Sequence, residues 1–265
     1  MTREMGVKTI AHISDLHVSP EYWVPGFADR LAKEIDRLNP DLLVVAGDLC
    51  FHEGSLEELQ QAKAYLDGLR CRRRLIVPGN HDVSVSADPL ANYRAVFGDP
   101  FQTIDEDGFF IVGIDSTEVG LPGDVWHSQG YLGAPVYEWL RKEFACAQPN
   151  DFKILVMHHH MLAVPGTGND QNILLDAGDV IEVLLQARVD LVLGGHRHRG
   201  HLWQVEGLRI LHSGTCTSSR YYGQETSNSY NIIRLGRDVT IHRRYLNEDR
   251  TELVRRFRNR HWPRA

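Results

Sequence analysis

The sequence predicts a layered α/β domain, on three observations. Short apolar runs alternate with amphipathic stretches of helical spacing through the first two hundred residues. The runs have the length of buried strands. After Gly200 the pattern changes to closely spaced strands divided by turn residues. Residues 9–13 read as the first buried strand. Phe27, Leu31, Ile35 and Leu38 then recur at three- and four-residue intervals, which places them on one helix face. Residues 42–46 form the second strand; Leu56, Leu59, Ala62, Leu66 and Leu69 mark the next helix. Strands follow at 75–77 and 110–114, a helix at 137–144, a strand at 154–157, a helix at 180–185 and a strand at 191–193. Beyond Gly200, residues 202–205, 208–211, 230–235 and 239–245 read as a meander, with Glu206-Gly207 and Gly236-Arg237-Asp238 at turns.

A chain of 265 residues, 42% hydrophobic and 24% charged, has the composition of a soluble globular protein able to bury one large core. Its formal net charge of −6 offers nucleic acid and membrane no bulk attraction. Apolar runs such as 42–46 fall far short of the ~20 residues a membrane helix needs. Cys50, Cys71, Cys146 and Cys216 show no CxxC spacing and read as buried free thiols. No apolar stretch of signal-peptide length follows the first seven residues, so a cytoplasmic location is expected. The expected organisation is one domain over 1–246 and an arginine-rich tail over 247–265. Residues 243–265 hold eight arginines against Glu248, Asp249 and Glu252, a net of +5, which leaves −11 on the rest. That segment reads as a terminal helix or tail packed on an acidic surface, or as a contact for an anionic partner. A homo-oligomer is left open.

Fourteen histidines are many for this length. Five polar clusters each follow directly on a predicted strand: Asp15-Leu16-His17, Gly47-Asp48, Gly79-Asn80-His81-Asp82, His158-His159-His160 and Gly195-His196-Arg197-His198. Ligand sites of open α/β sheets lie beyond the carboxyl ends of the strands, so clusters distant in sequence can converge there. Carboxylate, carboxamide and imidazole without thiolate suit Mn²⁺, Fe²⁺/Fe³⁺ or Zn²⁺. Seven candidate ligands, Asp15, His17, Asp48, Asn80, His158, His196 and His198, are too many for one ion and suffice for two divalent ions if a carboxylate bridges. Two such ions form the clamp used for displacement at phosphorus. Against two aspartates they leave a positive site that attracts a phosphate oxyanion.

The ordered set resembles the calcineurin-like metallophosphoesterases, whose pattern is D-x-H, G-D, G-N-H-[DE], H and G-H-x-H, over about residues 9–235. The resemblance implies a four-layer αββα sandwich of two mixed β-sheets flanked by helices. It implies that Asp15, His17 and His198 hold one ion, that Asn80, His158 and His196 hold the other, and that Asp48 bridges. His81 is then the proton donor or a phosphoryl contact, with Asp82 orienting it. Gly130-Tyr131-Leu132 followed by Glu138-Trp139-Leu140 is similar to a segment of the class III cyclic-nucleotide phosphodiesterase branch. Many relatives have His-His-Pro where this chain has His158-His159-His160; His158 is aligned as the ligand because it directly follows a strand. His159 and His160 are expected to contact substrate, and so is Arg220, for which the alternative is a surface turn. The activity implied is hydrolysis of a small phosphodiester, cyclic nucleotide or glycerophosphodiester-like, by a metal-bridging hydroxide. The alternatives are a phosphomonoesterase or nucleotide pyrophosphatase on the same site and, against the net charge, a DNA nuclease. Loops 117–135 and 165–172 are expected to line the pocket and to act as a lid.

Overall fold

The computed structural model describes residues 6–117, 128–168, 172–223 and 226–262. Most of loop 117–135, and 169–171 of the expected lid, lie outside the described residues. The first sheet contains β1 (Lys8–Ile13), β2 (Leu42–Ala46), β3 (Arg73–Val77), β10 (Ser229–Leu235), β11 (Asp238–Tyr245) and β12 (Arg250–Arg258), in the order β12-β11-β10-β1-β2-β3. The second contains β4 (Gln102–Glu106), β5 (Phe109–Gly113), β6 (Phe152–Val156), β7 (Leu191–Gly194), β8 (His201–Val205) and β9 (Leu208–His212), in the order β4-β5-β6-β7-β9-β8. Each sheet has a parallel centre: β1, β2 and β3 in one, and β5, β6, β7 and β9 in the other. Antiparallel strands complete one side of the first sheet, whose other edge is β3, and both edges of the second.

The period of two along each strand builds the layers. Ile10, Leu42, Val44 and Val77 point to one side and meet Ile111, Ile154, Val156 and Leu193 of the second sheet. Ala11, Ile13, Leu43 and Val45 point to the other side. There they meet α1 (Pro25–Leu38) and α2 (Leu56–Gly68) through Leu31, Ile35, Leu59, Ala62 and Leu66. α4 (Gly133–Cys146) and α5 (Ala177–Gln186) cover the second sheet through Leu140, Phe144, Val180, Val183 and Leu184. The result is the four-layer αββα sandwich. β2 and β5 are buried along their whole length, as strands covered on both faces must be. Each such Leu or Ile contributes about 1.5–3 kcal/mol by leaving water.

Three elements differ from expectation. β4 and the short helix α3 (Ala91–Phe97) appear where the sequence shows no clear period. The basic C-terminal segment is neither helix nor loose tail: β12 pairs along the length of β11, so the first sheet runs on past residue 246. Val254 and Phe257 turn inward from it, and Phe257 packs on Phe152 and under the guanidinium of Arg209. All four cysteines are free thiols, but only Cys50 and Cys216 are buried as expected; Cys71 is half-buried and Cys146 exposed. Among the described residues, no helix is long and apolar enough to cross a membrane.

Candidate metal centre

The five clusters lie just past the ends of β1, β2, β3, β6 and β7, two from one sheet meeting three from the other. Their turns are unusually tight. Asp15, His17, Asp48, His196 and His198 all have positive φ, between 45° and 74°, a region that side chains other than glycine rarely occupy. Neighbouring backbone holds them there. Asp15 N–H donates to Gly47 O and His17 N–H to Asp48 O, both at 3.0 Å; Thr215 Oγ1 donates to Asp15 O at 2.7 Å. The motif glycines are required by close approach. A Cβ on Gly47 would stand 2.6 Å from His158 Nδ1, one on Gly79 would strike the amide and Oδ1 of Asp48, and one on Gly195 would strike Ser14 Oγ.

The structure brings the seven predicted donors into two groups that share Asp48. In the first, His17 Nε2 lies 2.9 Å from His198 Nε2 and 3.5 Å from Asp48 Oδ2, and His198 Nε2 lies 3.4 Å from Asp15 Oδ1. In the second, His158 Nε2 lies 3.3 Å from Asp48 Oδ1 and 3.2 Å from His196 Nδ1, which is 3.0 Å from Asn80 Oδ1. Ligands about 2.1 Å from one ion stand about 3.0 Å apart along an octahedral edge and about 3.4 Å along a tetrahedral one. The observed separations have that size.

The hydrogens also fit. His158 Nδ1 faces Ala46 O at 2.7 Å and His198 Nδ1 faces Arg220 O at 2.5 Å. A carbonyl only accepts, so both Nδ1 atoms carry hydrogen and both Nε2 atoms are the ones turned to the centre. Burial pushes His17 and His196 well below the ordinary histidine range and takes His198 down to about 3, leaving the neutral imidazoles that metal ligation needs. His158 is the exception. Burial lowers it too, but Asp48 and Asp15 outweigh burial and raise it to about 9. Burial likewise raises Asp48, but His158, His81 and His17 hold its carboxyl well below the usual range. Burial and the charge of Asp48 raise Asp15 to about 7. Donor set, spacing and hydrogens all fit a pair of divalent ions.

Around the donors, several expectations change. Asp82 does not orient His81. Its Oδ1 accepts from Leu49 N–H (2.8 Å) and Cys50 N–H (3.0 Å) and its Oδ2 from Gly79 N–H (2.8 Å), tying the loop after β3 to the loop after β2. His81 is held instead by Phe51 O, 2.5 Å from Nδ1, and by Arg220 Nη1, 2.6 Å from Nε2. Carbonyls accept and guanidiniums donate, so hydrogen sits on Nδ1 and the lone pair on Nε2. The proton-donor role expected of His81 is not set up by these contacts. His159 and His160 do not reach solvent: both are buried against His196, His159 with Ser116 Oγ 2.9 Å from its Nδ1. They pack against a donor. Arg220 stands at the centre, its Nη2 donating to Tyr222 Oη at 3.0 Å. Cys50 lies beneath the site with its thiol donating to His81 O at 3.1 Å.

Sequence reasoning passed over Arg197, Phe51 and Tyr222. Arg197 is buried, donates to Thr167 Oγ1 at 3.0 Å and to Thr167 O, and lies 4.9 Å from the centroid of the Tyr222 ring. Its place between two donors in Gly-His-Arg-His was the available signal. Phe51 stacks on His81 at 5.3 Å.

The sequence model described as calcineurin-like phosphoesterase matches residues 8–200, and the chain belongs to that family. It is 29% identical over 181 residues to the 3′,5′-cyclic adenosine monophosphate phosphodiesterase CpdA of Escherichia coli strain K12, covering 64% of this chain and 59% of that protein. It is 26% identical over 213 residues to a transmembrane protein with metallophosphoesterase domain from Bos taurus, covering 74% of this chain and 41% of that protein. The chain therefore spans only about half the length of these relatives. Among solved structures, the purple acid phosphatase PPD1 of yellow lupin superimposes with a TM-score of 0.76 at 12% identity, covering 94% of this chain and 53% of that one. That likeness is one of fold.

Proposed function

We propose that this chain is a dinuclear-metal phosphoesterase that hydrolyses a small phosphodiester, of the cyclic-nucleotide or glycerophosphodiester kind. One observation carries the reading: Asp48 turns one oxygen to each of two donor groups, 3.5 Å from His17 and 3.3 Å from His158. Asp15, His17 and His198 would hold one ion and Asn80, His158 and His196 the other, with Asp48 between them. The thiolate-free set suits Mn²⁺, Fe or Zn²⁺. Bound ions supply a nucleophile at neutral pH and positive charge for the phosphoryl oxygens. The chain's own residues do the rest. Arg220 presents N–H groups to the phosphate, His81 and Tyr222 aim that guanidinium, and His159 and Ser116 fix the ring of His196 from behind. Asp82 holds together the two loops that carry Asp48 and Asn80. The relative named as a cyclic-AMP phosphodiesterase supports the diester class, and the four free thiols suit a cytoplasmic protein.

The test is a chelated and reconstituted preparation. Removing metal should abolish hydrolysis of bis(4-nitrophenyl) phosphate, and Mn²⁺ should restore it with two ions bound per chain. The diester should be cleaved faster than 4-nitrophenyl phosphate. Full diesterase activity in the chelated protein, or no metal uptake, would overturn the assignment.

A further inference from the structure

We propose that a second ligand site lies between the open edges of the two sheets, and that it takes a small organic phosphate monoester. β8 and β12 are the outermost strands of their sheets on one side of the sandwich, joined there by Arg255 Nη2 and Gln204 Oε1 at 3.4 Å. Between them is a cleft of about 370 Å³, with Leu202 and Trp203 of β8 facing Val254 and Arg255 of β12, and with Arg243 of β11 also lining it. The cleft shares no residue with the metal centre.

The basic segment sorts its arginines. Residues 243–260 hold seven of them. Arg244, Arg250, Arg258 and Arg260 each meet a carboxylate. Arg256 stands on the other face of the sheet, in register with Thr240 and Arg234. The two that line the cleft form no ion pair among the described residues: Arg255 has the carboxamide of Gln204, and Arg243 has its Nε and Nη2 buried without a partner. An acid does stand across from Arg243, since Glu252 is its partner in register on β12. That carboxylate is turned away, accepting from Tyr245 Oη at 3.0 Å and from Arg250 Nη1 at 3.3 Å. No acid lines the cleft. His201, at its side, is pushed below the ordinary histidine range by burial and then by the charges of Arg243 and Arg199. Leaving a half-buried cation unpaired is costly. Here the fold holds the cation in place without an acid. A Cβ on Gly200 would stand 2.1 Å from Nε and 2.5 Å from Cζ of Arg243. Gly200 is not among the residues of positive φ, so its backbone does not call for glycine; the guanidinium does.

Charge and lining together define the ligand. Two guanidiniums without acids call for two negative charges. A phosphate monoester carries about −1.5 to −2 at neutral pH, whereas a carboxylate brings one. Leu202, Val254 and Trp203 add apolar surface, and the volume lies in the range of small-molecule sites, so the phosphate bears an organic body. Trp203 supplies contact area alone, because its Nε1–H is already donated to Ala163 O at 2.9 Å.

The probe is phenylphosphonate, a dianion at mildly alkaline pH whose carbon–phosphorus bond is no ester and survives the enzyme. Calorimetry on the Mn²⁺-loaded full chain should show two binding events. One belongs to the centre and disappears when the chain is chelated and dialysed; the other remains. Arg243→Gln and Arg255→Gln should each weaken the remaining event by about tenfold or more, while kcat on bis(4-nitrophenyl) phosphate stays within about twofold. Arg255 is exposed, so its substitution leaves the fold intact and reads the cleft even if Arg243→Gln fails to fold. Benzoate, with one charge, and inorganic phosphate, with no organic body, should each bind the dialysed chain about tenfold more weakly than the probe. The proposal is overturned if no event survives chelation, if the surviving event ignores Arg255→Gln, or if benzoate or inorganic phosphate binds as tightly as phenylphosphonate. Loss of the chelator-sensitive event alone, with no diesterase activity, would overturn the metal reading and leave the cleft standing.

Discussion

Replacing Gly79 by alanine should separate fold from centre. Gly79 has φ −111°, a value any residue adopts, so the substitution carries no backbone penalty. Its cost is steric. The new methyl would fall on the amide and Oδ1 of Asp48, with Cγ at 3.0 Å. Those atoms are not the flexible end of a long chain: Asp48 is pinned at positive φ, and its Oδ1 accepts from His81 N–H at 3.0 Å. The loop after β3 must therefore move by several tenths of an ångström or more, and Asn80, the next residue, moves with it. Overpacking of this kind costs about 1–3 kcal/mol of stability, while a displacement approaching 1 Å in a positioned site costs about 10²-fold in rate. The expected result is a folded variant with a modestly lowered melting temperature, about a hundredfold lower kcat on bis(4-nitrophenyl) phosphate, and fewer than two tightly bound ions. Activity within threefold of the parent, with two ions retained, would refute the claim that Asp48 and Asn80 are placed by this contact.

Three further outcomes follow from the same geometry. His12 and His212 are buried and held down to about 3 by burial, each repelled by a neighbouring histidine; both stay neutral in the folded chain while the unfolded chain protonates below about 6.5. Their stabilising effect is thus full above pH 6.5 and is lost as pH falls toward 3, at roughly 1 kcal/mol per ring per pH unit. The urea midpoint of the metal-free chain should drop between pH 7.5 and 5.5, and an unchanged slope in a His12→Asn, His212→Asn double variant would count against it. His81→Ala should slow nitrophenyl and alkyl leaving groups by factors within about threefold of each other, because its Nε2 is an acceptor; a loss tenfold greater for the alkyl ester would make His81 the acid after all. Deleting 248–265 should lower the melting temperature by several degrees, since β12 covers β11 and packs a half-buried Phe257 on Phe152; an unaltered melt would restore the picture of a separable tail.

The parts of this molecule legible in its sequence are those encoded locally. A strand buried on both faces must be apolar throughout, so β2 and β5 announce themselves. A donor at a strand end must be polar, follow an apolar run and often follow glycine; each such cluster is common on its own, and only the five in order single out the candidate donors. β4 could not. Gln102, Thr103, Ile104, Asp105 and Glu106 form an edge strand with one neighbour, and an edge strand needs few apolar residues. β12 hides for the same reason: Arg255, Arg256 and Arg258 look like a solvated tail until pairing with β11 turns Val254 and Phe257 inward. Side-chain direction was the other blind spot. His159 and His160 adjoin a donor in sequence, but the backbone after β6 sends them behind His196. The carboxylate of Asp82, one residue from His81, was taken by three amides that only the folded loops bring near it.

That distinction explains why the donors sit in left-handed turns. A strand that ends beside its parallel neighbour at a spacing of about 4.8 Å would carry its last side chains away from the seam between the two sheets. A reversal of φ immediately after the strand swings the next residue back over the sheet end. Asp15, Asp48 and His196 make that reversal after β1, β2 and β7, and His17 and His198 repeat it two residues on. Each costs on the order of 1–3 kcal/mol, less for Asp and His than for bulkier residues. The cost recurs at five positions that share nothing except their contact with the centre, so packing alone gives no reason for it. Asn80 and His158 need no reversal. Asn80 enters on the short turn Asn80–Asp82, and His158 is drawn across the seam by its hydrogen bond to Ala46 O of the other sheet. Two sheets thus meet at their ends through strained turns whose only common product is one carboxylate facing two groups of donors. Strain so distributed is what a bound pair of ions would offset.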